Sequence, residues 1–140
     1  MDLKALAIER FNQLGFKAST EDEPQIEYCM NKVKEQLHNE LNSKTTTEDL
    51  PNELTYVVVE RIVGEFLYTL MVFGGDIAKA RLANLDLSTA ITSLREGDVS
   101  ISFDKDASPE ARLMSVLDEM RRYGAGRAAI YSHRKLRWRA

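Results

Sequence analysis

The sequence predicts a mainly α-helical domain, a small helical bundle around one long central helix, with a β-hairpin arm and a basic C-terminal tail. Three observations carry that prediction. Residues 54–73, LTYVVVERIVGEFLYTLMVF, hold only three charges, and their apolar positions recur at helical spacing. Shorter amphipathic stripes of the same period occupy 3–14, 25–41 and the segment after Pro109. The period falls to two only near 99–103. A chain of 140 residues can bury one real core. The expected division is a helical domain with its arm over 1–124 and a tail over 125–140.

The central helix is expected over about 52–73, opened by Pro51. At about 100° per residue, Val59, Ile62, Val63, Phe66 and Leu70 form its core spine, with Phe73 on the same face. The other half carries Glu53, Glu60, Arg61, Glu65 and Thr69, yet also Leu54, Val57, Val58, Met71 and Val72. That side is too apolar for plain solvent exposure. Gly64 lies on it, where glycine costs about 1 kcal/mol relative to alanine, so another backbone is expected to approach there. A second element or a second subunit would cover this face. A membrane span is disfavoured, because each central charge costs roughly 2.5–3.5 kcal/mol at mid-bilayer.

The other elements follow in order. Leu3, Leu6, Ala7, Phe11 and Leu14 share one side of a first helix, which Gly15 ends in a left-handed cap with Phe16 as the hydrophobic contact. Thr20 and Glu23 have capping-box spacing, and Pro24 suits the first turn of a second helix. Glu21, Asp22 and Glu23 complement that helix's dipole; a metal site is the lesser reading. Ile26, Cys29, Met30, Val33, Leu37 and Leu41 make its stripe. Gly74-Gly75 then bends the chain, and a short helical turn resumes within 76–84. Val99, Ile101 and Phe103 alternate with serines after the turn Arg95-Glu96-Gly97-Asp98, giving a hairpin of 90–94 with 99–103. A competing reading makes Leu87, Ala90, Ile91 and Leu94 a helical stripe closed by Gly97. The last helix starts at Ser108-Pro109, buries Leu113, Val116, Leu117 and Met120, and stops at Gly124.

Charge and chemistry narrow the function. The net charge is −3, but residues 1–107 hold 19 acidic against 11 basic side chains. From Arg121 onward there are seven Lys/Arg and no Asp or Glu, interleaved with Ile130, Tyr131, Leu136 and Trp138. The single cysteine, Cys29, forms no internal disulfide and suits a reducing cytoplasm. The N-terminus, MDLKALAIERF, has no signal-type apolar run. Cys29 sits within an apolar stripe and reads as a small buried hydrophobe. His38, nine residues on, falls on the opposite side of the helix, so the two form no dyad. No CxxC, HExxH, GxSxG or P-loop is present. We expect no enzyme, no cofactor and no metal.

Four stretches in order, VVVERIVGEFL, SLREGDVSISF, ASPEARL and RKLRW, resemble the head–tail connector proteins of tailed bacteriophages and prophages, also called adaptor or head-completion proteins. The resemblance spans about 51–138; residues 1–50 match only as two amphipathic helices, and 74–86 follow no fixed family pattern. It implies a helical subunit in a homo-oligomeric ring, dodecameric in the family, beneath the portal of a DNA-filled capsid. The ring would extend the DNA channel and receive a downstream connector or tail-completion protein. DNA would pass without sequence-specific binding, helped by an acidic wall that repels phosphate. The protein would reside in the virion's head–tail interface, and in the host cytoplasm during assembly. On that reading Arg134, Lys135, Leu136, Arg137 and Trp138 dock on the portal, pairing charge with an aromatic anchor. Glu96, Gly97, Asp98, Val99 and Ile101 form an arm toward a neighbour or the channel. The alternative is a small nucleic-acid-binding or regulatory protein whose tail grips single strands. No groove-reading module accompanies that tail.

Overall fold

Six α-helices are present among the described residues, which are 2–41, 54–96 and 106–123 of the computed structural model. Helix α1 (Leu3–Gln13) opens on Asp2, whose carboxylate accepts from the Ala5 amide at 3.1 Å. It closes as expected. Phe16 N–H donates to Phe11 O at 2.8 Å, Gly15 N–H donates to Asn12 O at 3.1 Å, and Gly15 takes φ +84°. Those two bonds satisfy carbonyls that the helix end leaves open. The same turn presses against the chain near Asn84, where the Asp86 amide donates to Leu14 O at 2.7 Å.

The capping box before helix α2 (Glu23–Glu40) lies one residue earlier than the sequence suggests. Asp22, not Glu23, accepts from the Ser19 amide, at 2.8 Å. The cause is a 3₁₀ turn at Thr20–Asp22 that precedes α2 and takes the cap. Helix α3 (Thr55–Phe73) is the long central element, followed by α4 (Gly75–Leu82), α5 (Leu87–Glu96) and α6 (Pro109–Tyr123). The Ser108 hydroxyl accepts from the Ala111 amide at 3.1 Å, confirming the start of α6.

The β-hairpin is not supported. Residues 90–94 lie within α5, and no strand occurs among the described residues. The competing helical reading wins for a local reason. Asp86 caps α5, accepting from the Thr89 amide at 3.1 Å and hydroxyl at 2.7 Å, and Leu87, Ala90 and Ile91 then pack on the core. A short apolar run does not by itself distinguish strand from helix; the cap does. Glu96 is the last residue of α5, while Gly97, Asp98, Val99 and Ile101 lie outside the described residues.

Helix α3 packs against α1, α2, α4 and α6. Every residue over 57–67 is buried. Of the spine, Val59, Ile62, Val63 and Phe66 are buried and Leu70 is half-buried against the same core. Helix α2 runs antiparallel to α3, since Lys32 reaches Glu65 and Glu40 reaches Arg61. Helix α6 is antiparallel too: Met120 and Arg121, near its end, lie over Gly64, whereas Pro109 and Leu113, near its start, share a groove with Met71; the Arg121 guanidinium sits 4.1 Å from the Tyr68 ring centroid. The second face of the spine is therefore covered in large part within the same chain, by α6 at Gly64 and by α1 and α2 at the charges, while Val72 at its far end stays exposed. Phe73 corrects the wheel as well. It is 82% exposed, because the chain turns at Gly74 and α4 packs back through Ala78 toward Leu70.

Candidate assembly surface

The three charges of the central stretch are buried rather than set toward solvent: Glu60, Arg61 and Glu65 each lie at 6% exposure or less. Each meets an opposite charge from another helix, Glu60 with Arg10, Arg61 with Glu40 at 2.8 Å, and Glu65 with Lys32 at 2.7 Å. Burial holds the Glu60 carboxyl above its ordinary range, against the pull of Arg10. These contacts tie α1 and α2 to α3 at chosen registers, a constraint that apolar packing alone supplies less sharply. In the fold they serve as architecture, joining three helices. Cys29 is likewise inert, with burial pushing its thiol up to about 11, so it stays protonated. Among the described residues no three His, Cys, Asp or Glu side chains gather as metal ligands, and no helix is long and apolar enough to cross a membrane.

The feature that stands out is apolar and lies at one end. Val72, Phe73, Ile77 and Met114 are 41%, 82%, 78% and 38% exposed. They belong together. The seam between α6 and the α3–α4 corner is marked by Arg121 on Tyr68 at one point and by Lys79 with Glu110, 3.6 Å apart, at another. Val72 falls between Tyr68 and Lys79 in sequence, Met114 between Glu110 and Arg121, and the helices are antiparallel. Phe73 and Ile77 occupy the adjoining corner around Gly74. Beside the seam lies a groove of about 280 Å³, lined by Met71, Leu82, Leu85, Leu87 and Leu113 with Lys79 and Glu110 at its rim. Among the described residues the other large exposed apolar groups are Tyr28 on α2 and Tyr56 at the opposite end of α3 from Val72. Isolated exposures are ordinary, whereas a grouped apolar end marks a contact surface.

This end is held in place by Arg81. Its guanidinium donates to both carboxylate oxygens of Asp22, at 3.1 and 2.6 Å, donates to Lys17 O at 3.2 Å, and lies 4.8 Å from the Phe16 ring centroid. Helix α4 is thereby fixed to the α1–α2 connection. The Arg81 hydrogen bonds hold the Asp22 carboxyl below its ordinary 3.8, with Ser19 assisting. A depressed folded pKa gives stability that is complete above the ordinary value and is lost as pH falls through the lowered one. Glu60 has the opposite sign, its raised pKa favouring stability below 4.5 that fades as pH rises through the folded value. Asp22→Asn should therefore cost about 1.5 kcal/mol near neutrality and progressively less as pH falls below the ordinary 3.8, measured by urea melts at neutral and at acid pH. An equal loss at both would remove the ion pair from the explanation.

Of the residues expected to act, the portal-docking set Arg134, Lys135, Leu136, Arg137 and Trp138 lies outside the described residues, as does all of 125–140. Sequence reasoning missed the exposed corner; the Gly74-Gly75 break directly after an apolar helix end was its available signal. Compared with protein-family models, curated proteins and solved structures, the chain matches none.

Proposed function

We propose that this chain is a structural head–tail connector subunit of a tailed phage, assembling as a ring under the portal to extend the DNA channel and join head to tail. The observation that supports it best is the grouped apolar end, Val72, Phe73, Ile77 and Met114, on a helical body knit together by buried ion pairs. Such a surface suits contact with protein. The resemblance of VVVERIVGEFL, SLREGDVSISF, ASPEARL and RKLRW to connector proteins indicates which assembly. The basic tail supplies the portal contact on this reading, with Trp138 and Leu136 as apolar anchors and Arg134, Lys135 and Arg137 toward carboxylates.

The test is to mix full-length chain, and chain truncated after Ser132, with portal rings and measure co-sedimentation. Truncation should weaken binding by at least about tenfold, the loss of one hot-spot side chain. Undiminished binding by the truncated chain would sink the tail's role. A salt-dependent shift of single-stranded oligonucleotide, with no portal binding, would favour the nucleic-acid reading instead.

A further inference from the structure

We infer that the α3–α4 corner is a knob that seats in the α4–α6 groove of a second copy, head to tail. The knob is Phe73 and Ile77, four residues apart across the Gly74 turn and both more than three-quarters exposed. The groove is walled by the same two helices from their other sides. Met71 lines it from α3 and Lys79 from α4, and each lies two residues, about 200° of helical rotation, from Phe73 or Ile77. A knob and a groove that share helices but face apart are not able to meet within one chain. A second copy offers both halves in equal number.

Size and charge fit this occupant. A groove of about 280 Å³ lies at the lower edge of ligand pockets, roughly 300 Å³, and takes one or two large side chains rather than a helix. Apart from Lys79 and Glu110 its lining side chains are apolar, Leu82, Leu85, Leu87 and Leu113 among them, so a phenylalanine and an isoleucine suit it. Asp76 adjoins Ile77 on the knob, is exposed, and has no ion pair among the described residues. Lys79 stands on the groove rim, 3.6 Å from the exposed Glu110, its one ion pair among the described residues. Docking brings Asp76 of one copy toward Lys79 of the next. Because two different patches meet, the contact is heterologous, and it propagates to a ring where the rotation closes. Closure into a ring rests on the connector reading; the contact itself does not.

Complementation of two variants tests it. Phe73→Glu with Ile77→Glu charges the knob, and Ala83→Phe fills the groove from an exposed lining position, so neither disturbs the core. Circular dichroism checks that both are folded. In sedimentation equilibrium the wild type should associate with rising concentration, while each variant's dissociation constant rises at least tenfold. An equimolar mixture should recover a dimer, one variant lending its groove and the other its knob. The inference is overturned by any of four results: a wild type still monomeric at about 1 mM, either variant associating like wild type, no dimer in the mixture, or loss confined to the groove variant. The last would place another occupant there, such as the chain's own 124–140 segment. Each of these results leaves the connector reading to the portal assay, which reports separately.

Discussion

Replacing Phe66 with alanine should lower the unfolding free energy by about 3–5 kcal/mol, the usual cost of truncating a buried aromatic. Phe66 is the residue on which three segments meet. Its ring lies 5.2 Å from that of Phe11 on α1 and 5.9 Å from that of Phe16, just past the left-handed turn at Gly15. Phe11 and Phe16 are themselves 5.4 Å apart, so the three rings form a closed cluster in tilted and edge-on arrangements. Such pairs add about 0.5–1.5 kcal/mol beyond the area they bury. Loss of the middle ring removes two of the three pairs and leaves a void bounded by α1, its closing turn and α3. That turn is hydrogen-bonded at Phe16, Gly15 and Asp86, which limits how far the void can collapse. Phe66→Leu keeps most of the volume and should cost appreciably less. Urea melts of both variants decide it, and a loss under about 1 kcal/mol for Phe66→Ala would remove this cluster from the core.

The cluster also shows which features were legible before the fold was known. Local signals carried far: the Gly15-Phe16 closure of α1, the Ser108-Pro109 start of α6, the apolar stripe of α2, and the spine from Val59 to Phe66 all appear where sequence spacing put them. Each depends on residues within one or two helical turns. The misses depend on partners far along the chain. Periodicity indicates that the face carrying Glu60, Arg61 and Glu65 is covered, but not that Arg10, Glu40 and Lys32, which are 50, 21 and 33 residues away, supply the opposite charges. A helical wheel assigns Phe73 to the core because periodicity does not show where α4, after the turn at Gly74, packs back toward Leu70 and leaves Phe73 outside. The hairpin failed from the reverse weighting, in which a distant alternation at 99–103 outvoted the Asp86 cap beside α5. The candidate surface was therefore half legible. Its apolar residues were all visible, but not that a turn at Gly74 would leave them outside.

Gly64→Val should be as damaging as the loss of Phe66, about 3 kcal/mol, through the opposite fault of excess volume. A Cβ on Gly64 would stand 2.6 Å from the Met120 Cβ and from the Arg121 amide nitrogen, and 2.8 Å from the Met120 carbonyl carbon. Real Cβ atoms essentially never approach within 3.0 Å. Two of those three atoms are backbone, so no rotamer change relieves the contact and α6 itself must move. Moving α6 loosens Val116, Leu117 and Met120 from the core and lifts Arg121 from the Tyr68 ring. Gly64→Ala regains about 1 kcal/mol of helix propensity yet carries the same Cβ, so it should fall between wild type and valine. Met120→Ala retains its own Cβ and backbone, and it should fail to rescue either variant. Rescue would mean that side-chain bulk, rather than close approach of two helix backbones, governs this crossing. A Gly64→Val protein that melts within about 0.5 kcal/mol of wild type would mean that α3 and α6 do not meet at this glycine at all.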